Sequence, residues 1–230
     1  MKLNGISQET RAARMKADYS DAVFLSDRAY NLLMGGVVAY GLVLNYVMCL
    51  NMSDFAMRIN PLLLLIGYVV CCFAGVIIAM KSDNPVISFI GYNLVCVPIG
   101  LVLSIVLQAY GGVNSEVVQQ AFLYTLLITG VMVLVSILFP NVFSRLGGFL
   151  FAALGGLIIA QFVMMILGVS SIATAWIGAV IFSLYIGYDI YRSQQFPKTA
   201  DNAVDCALDI YLDIINLFLD ILRILGNSRD

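Results

Sequence analysis

Seven apolar stretches follow one another along the chain, at about residues 30–50, 61–80, 85–108, 117–139, 147–167, 172–192 and 203–225. Each is close to the ~20 residues that carry a helix across a ~30 Å hydrocarbon core. The pattern predicts an all-α integral membrane protein with seven transmembrane helices. The polar breaks have chemical causes. Asn51 to Asn60 holds Asp54 and Arg58 before Pro61, and Lys81-Ser-Asp-Asn-Pro85 ends in the same Asn-Pro pair. Proline suits the first turn of a helix, because its missing N–H is not needed there. Gly111-Gly-Val-Asn-Ser115, Pro140-Asn-Val-Phe-Ser-Arg145 and Gly168-Val-Ser-Ser171 supply the next three breaks, the last being short enough for a close hairpin. Gln194 to Asn202 contains Pro197, with Asp201 or Asn202 available to cap the final helix.

The seventh stretch departs from the other six. Between Ala203 and Leu225 it carries Asp205, Asp209, Asp213 and Asp220. At ~100° per residue these four, with Asn216 and Arg223, share a helical arc of roughly 80°. Four carboxylates facing lipid would cost on the order of 10 kcal/mol at about 2.5–3.5 each. The thirteen Val, Leu, Ile and Phe residues of the run return only about 4–8 kcal/mol. The stripe must therefore face other helices or water.

Composition agrees with a membrane protein: 61% of the 230 residues are hydrophobic, 11% are charged, and the mean hydropathy is +0.95. The net charge of −2 and the lack of a basic aromatic patch give no support to nucleic-acid binding. Histidine is absent, so proton chemistry near neutrality falls to the carboxylates. The five cysteines are scattered through different apolar runs and read as small buried residues, with no disulfide framework and no transition-metal site. No metal or cofactor is expected as a resident group. Gly148, Ala152 and Gly156 on the fifth span, and Gly100 with Ser104 on the third, are spaced for close helix packing, the generic membrane use of such residues.

Residues 1–29 are polar and of mixed charge, without a cleavable signal sequence, and read as a cytoplasmic arm ahead of a transmembrane domain over residues 30–230. An internal N-terminus places nine of the twelve Lys and Arg in the cytoplasm, satisfying the positive-inside rule. Arg223 and Arg229 would then be external. A re-entrant last helix would return them to the cytoplasm.

Two acids are candidates for chemistry. Asp189 lies about one turn before the end of the sixth span, where the negative end of the helix dipole disfavours it without a partner. Arg192 or the Tyr185 hydroxyl can supply one. Asp213 lies near the middle of the seventh stretch, where neither a capping nor an interfacial role is available. Asp201 and Asp205 sit near the helix start, and the structural reading leads for them. Asp220 pairs with Arg223 at i+3 as a structural ion pair, while Asp209, Tyr185 and Asn216 are secondary candidates along an ion pathway. Two carboxylates sharing a low-dielectric site cannot both ionise cheaply and titrate as a unit. Such a pair holds a proton or exchanges it for a cation that prefers hard oxygen ligands.

Ile210-Tyr-Leu-Asp-Ile-Ile-Asn-Leu-Phe218, continuing through Leu219-Asp-Ile-Leu-Arg-Ile-Leu-Gly-Asn227, resembles the terminal signature of the Bax inhibitor-1 family, in its bacterial branch. Tyr188-Asp189 and the turn Ser82-Asp-Asn-Pro85 with Ser88-Phe-Ile-Gly-Tyr-Asn93 resemble further family features. The resemblance implies seven helices with the last central and wrapped by the other six. It also implies a pH-sensitive calcium leak in the bacterial plasma membrane, gated by aspartates that fall here on Asp189 and Asp213. Family members can carry a basic residue in the second span that latches the sixth-helix aspartate. Pro61 to Met80 has none, so any latch must differ. The alternative function is a regulatory membrane protein that binds a membrane protease or a stress or death-pathway partner, with the arm as its contact. A secondary transporter lacks the expected repeats and broken helices, and no catalytic constellation points to an enzyme.

Overall fold

The computed structural model describes residues 23–169 and 171–228. Most of the predicted arm, residues 1–22, lies outside the described residues. The elements are α1 (Asp27–Asn51), α2 (Ser53–Arg58), α3 (Pro61–Lys81), α4 (Pro85–Ala109), α5 (Glu116–Leu138), α6 (Pro140–Phe143), α7 (Gly147–Leu167), α8 (Ile172–Ser193) and α9 (Ala200–Asn227). All seven predicted stretches are helical. Six of them, α1, α3, α4, α5, α7 and α8, are long and apolar enough to cross a membrane. The acidic α9 is long enough at 28 residues but too polar to join them on composition. Two of the breaks are themselves short helices, α2 and α6.

Local chemistry starts the helices where the sequence says it should. Asn60 Oδ1 accepts from the Leu62 and Leu63 amides at 2.9 and 3.4 Å, and Asn84 Oδ1 from the Val86 amide at 2.9 Å. In both cases proline occupies the first helical position. The α7–α8 turn uses Gly168 at φ +64°, the left-handed conformation that ends a helix cheaply only for glycine. One expected cap is corrected. Neither Asp201 nor Asn202 opens α9; Thr199 does, its Oγ1 accepting from the Asn202 amide at 3.2 Å. Thr199 sits one residue before the helix, where its oxygen can reach that otherwise unpaired N–H.

The described residues form two compact units. The first comprises residues 23–119 and 198–211, thus α1 to α4 with the start of α9. Here α3 and α4 touch backbone to backbone: a Cβ on Gly75 would lie 2.5 Å from the Gly91 carbonyl oxygen, and one on Gly91 2.6 Å from that of Gly75. Only glycine at both positions permits that approach. Gly100 opens the α1–α4 contact in the same way, meeting Met48 Sδ and Asn45 Nδ2. A polar network crosses this apolar interior. Tyr211 donates to Asn45 Oδ1 at 2.5 Å, Asn45 Nδ2 donates to the Cys96 carbonyl at 2.9 Å, and Tyr92 donates to the Val37 carbonyl at 2.9 Å. The Tyr92 and Tyr211 rings lie 5.5 Å apart. At one end, the Leu25 amide donates to the Lys198 carbonyl at 2.7 Å, and the Lys198 ammonium lies 4.4 Å from the Tyr30 ring centre.

The second unit comprises residues 120–197 and 212–228, with most of α5, then α6, α7, α8 and the rest of α9. Ser136 of α5 donates to the Gly187 carbonyl of α8 at 2.7 Å, Phe143 of α6 fills the space over Gly187, and the Tyr188 hydroxyl sits over Gly147 of α7. The small-residue stripe of α7 corrects another expectation. Gly148, Ala152 and Gly156 are exposed, and nothing lies within 4 Å of a Cβ built on Gly156. The neighbouring Gly147 makes the close contact instead, since Tyr188 needs the space over it. Large apolar side chains cover the outer faces of α3 and α7, Leu63 and Ile159 each being 66% exposed. A surface of this kind belongs in lipid.

Candidate functional site

The end of α8 is built around Asp189. Gly187, two residues earlier, lets Phe143 and the Ser136 hydroxyl close on the helix backbone, so the turn carrying Asp189 is held by α5 and α6. The Asp189 side chain is 7% exposed, and its Oδ1 lies 3.3 Å from Arg192 Nη2, three residues on. The Arg192 guanidinium is itself held between aromatic rings, 5.7 Å from the centre of Tyr188 and 5.9 Å from that of Phe196. Of the two partners foreseen for Asp189, the structure pairs it with Arg192.

Asp213 is 7% exposed on α9. The antiparallel register of α8 and α9 is fixed by Gly178, whose bare Cα faces the Asp220 carboxyl. Moving seven residues back along α9 from Asp220 to Asp213 moves seven forward along α8, from Gly178 to Tyr185. Tyr185 lies one turn before Asp189 on α8, and this register sets it opposite Asp213. It also packs edge-on against Tyr188, with ring centres 6.4 Å apart. The register thus brings the last turns of α8, with Tyr185, Asp189 and Arg192, alongside the middle of α9, with Asp213.

The remaining acids of α9 divide by environment. Asp201 accepts from the Ser88 hydroxyl of α4 at 2.6 Å, a structural bond. Asp205 is 4% exposed. Asp209 is half-buried, as are Leu212, Asn216 and Leu219, and Arg223 is exposed. These five recur at three- and four-residue intervals, so the line of partial exposure on an otherwise buried helix runs through Asp209, Asn216 and Arg223. Asn216 bonds its own helix, Nδ2 to the Leu212 carbonyl at 2.8 Å. Asp220 is 4% exposed, and its Oδ1 is 3.8 Å from Arg223 Nη1. Ser88, Tyr92 and Tyr211 stand in the family-like motifs of the sequence without a role assigned to them there, and Asn45 stands outside those motifs. The signal was present, since Asn45 is a lone amide deep within an apolar run and such a group is costly there unless paired.

Six helices long and apolar enough to cross a membrane, followed by a helix whose acids are mostly buried, define a polytopic helical membrane protein. The chain belongs to the Bax inhibitor-1 family: the family model described as "Inhibitor of apoptosis-promoting Bax1" matches residues 23–230. Among similar proteins, Bax inhibitor 1 of Saccharomyces cerevisiae is 50% identical over 58 residues, 24% of this chain and 18% of the yeast protein. An uncharacterized protein of Helicobacter pylori J99 is 33% identical over 116 residues, 49% of each chain. An uncharacterized membrane protein of Streptococcus pyogenes serotype M3 is 31% identical over 137 residues, 56% of this chain and 58% of its own. The chain thus spans about half the length of these bacterial relatives.

Proposed function

We propose that this membrane protein is a pH-sensitive, calcium-permeable leak channel of the bacterial plasma membrane, with its N-terminus cytoplasmic. Asp189 and Asp213 form its proton sensor. The observation that carries the reading is that both acids are buried, on two helices whose register, set where the Asp220 carboxyl lies over Gly178, brings Asp213 level with the turn before Asp189. Calcium as the permeant ion rests on the family resemblance, and hard carboxylate and phenol oxygens suit it.

In this reading a proton held at the two carboxyls neutralises one of them and keeps α8 against α9. Loss of that proton leaves two like charges in a poorly solvated site, which separates α8 from α9 and admits a cation. Arg192 takes the part of the missing second-span latch, because it holds Asp189 from the same helix. Asp209 and Asn216, on the partly exposed line of α9, are the groups a hydrated cation would meet next. The test is calcium flux into proteoliposomes scanned across pH. Asp189→Asn and Asp213→Asn should each flatten the pH response. A wild-type response retained by both well-folded variants would sink the mechanism, and wild-type vesicles that pass no calcium at any pH would sink the channel.

A further inference from the structure

Of the buried acids that the proton sensor does not use, Asp201, Asp205 and Asp220, the last lies against a bare helix backbone. Asp220 is 4% exposed, yet its Oδ2 is fully buried and makes no hydrogen bond. Its carboxyl lies against the bare Cα of Gly178, where Oδ2, Cγ and Oδ1 are the three atoms nearest to any added Cβ. The cation acting on it is Arg223, 3.8 Å from Oδ1 and 48% exposed, a long contact to a partly solvated group. Neither oxygen is therefore held as a buried carboxylate is usually held, by short bonds from several donors.

The surroundings are otherwise neutral. Around Gly178 on α8 stand Thr174, Ala175, Ile181 and Phe182, and the charged residues of that helix, Asp189 and Arg192, lie eleven and fourteen positions on, about 16 and 21 Å along its axis. Helices α6 and α7 contain no charged residue. That of α5 is Glu116, in its first turn. On α9 the nearest acid is Asp213, seven residues away.

We propose that Asp220 is a second proton-binding site on the α8–α9 contact, distinct from Asp189 and Asp213, with two seats. Carrying a proton, its neutral carboxyl fills the notch over Gly178. On losing that proton to the water that reaches Arg223, the carboxylate leaves the notch for the guanidinium. Gly178 is what makes the first seat available, since a methyl group there would occupy the carboxyl's place. Proton uptake at Asp220 does not require calcium conduction, so the two can be measured separately.

The experiment is infrared difference spectroscopy of the full chain in liposomes, following the C=O stretch of protonated carboxylic acids across a pH titration. Wild type should show a titrating band that is lost in Asp220→Asn. Gly178→Ala and Arg223→Gln each remove one seat, and each should shift the midpoint of that band by about one pH unit, a tenfold change in proton affinity. Asp220→Asn spectra that superimpose on wild type at every pH would overturn the proposal. So would midpoints that stay put in both seat variants. Should Asp220→Asn fail to fold, the two seat variants decide alone. A titrating band in a protein that passes no calcium would uphold this site while removing the channel reading.

Discussion

Asn45 should hold more of the fold together than its single amide suggests. It is 3% exposed on α1 and bridges two other helices, accepting from Tyr211 of α9 and donating to the Cys96 carbonyl of α4. Interhelical hydrogen bonds in membrane proteins contribute about 0.6 kcal/mol on average and up to about 1.7. Two such bonds make Asn45→Ala cost about 1–3 kcal/mol, at the upper end because the buried Tyr211 hydroxyl loses a partner. Tyr211→Phe, which removes one bond and its donor together, should cost about 0.6–1.7 kcal/mol. Because the residues touch, the two changes should not add. Equilibrium unfolding of the purified protein in mixed micelles, run as a double-mutant cycle, measures the coupling. A coupling near 1 kcal/mol is expected, whereas independent sites add within about 0.3–0.5 kcal/mol. A coupling inside that band would mean the network does not pin α9 and that the short contact carries no energy.

Three further outcomes are expected. Asp189→Asn should change the titration of Asp213, because a like charge has gone; superimposable infrared titrations of the Asp213 carboxyl with and without it would show that the two acids do not communicate. Arg192→Gln strips a 28% exposed partner from a buried acid and should lower unfolding stability by about 1–3 kcal/mol, less than the full loss of a buried pair because water screens the guanidinium; a loss within error of zero would remove Arg192 as a latch. Deleting residues 2–22 should leave calcium flux intact, since that polar segment lies outside every apolar run; loss of flux in a correctly inserted variant would mean that the arm gates the pore.

The helices were legible because a spanning helix must satisfy its own backbone in lipid, so each apolar run had one available structure. The Asn-Pro starts at Asn60 and Asn84 were legible for a local reason, a side-chain oxygen placed two residues before an unpaired amide. The failures have the opposite origin. Whether Gly156 faces a helix or lipid depends on the neighbour across from it, and regular spacing on α7 says nothing about that neighbour. The Thr199 cap was missed because Asp201 and Asn202 are equally good capping types, and the Ser88 hydroxyl of another helix had already taken Asp201.

The candidate site was legible to a similar depth and no further. Depth in the apolar run distinguished Asp213 from Asp201, since only Asp201 had a helix end to explain it. The roughly 80° arc, however, treats Asp209, Asp213, Asn216, Asp220 and Arg223 as one stripe. The folded helix separates them: Asp213 and Asp220 are buried, while Asp209, Asn216 and Arg223 lie along the partly exposed line. For Asp220 the burial goes with the glycine notch at Gly178 of α8, over which its carboxyl lies. A carboxyl can lie that close to a neighbouring helix only where the neighbour lacks a side chain. The residue that makes room for Asp220 is therefore a glycine on another helix. No periodicity within α9 could have pointed to it.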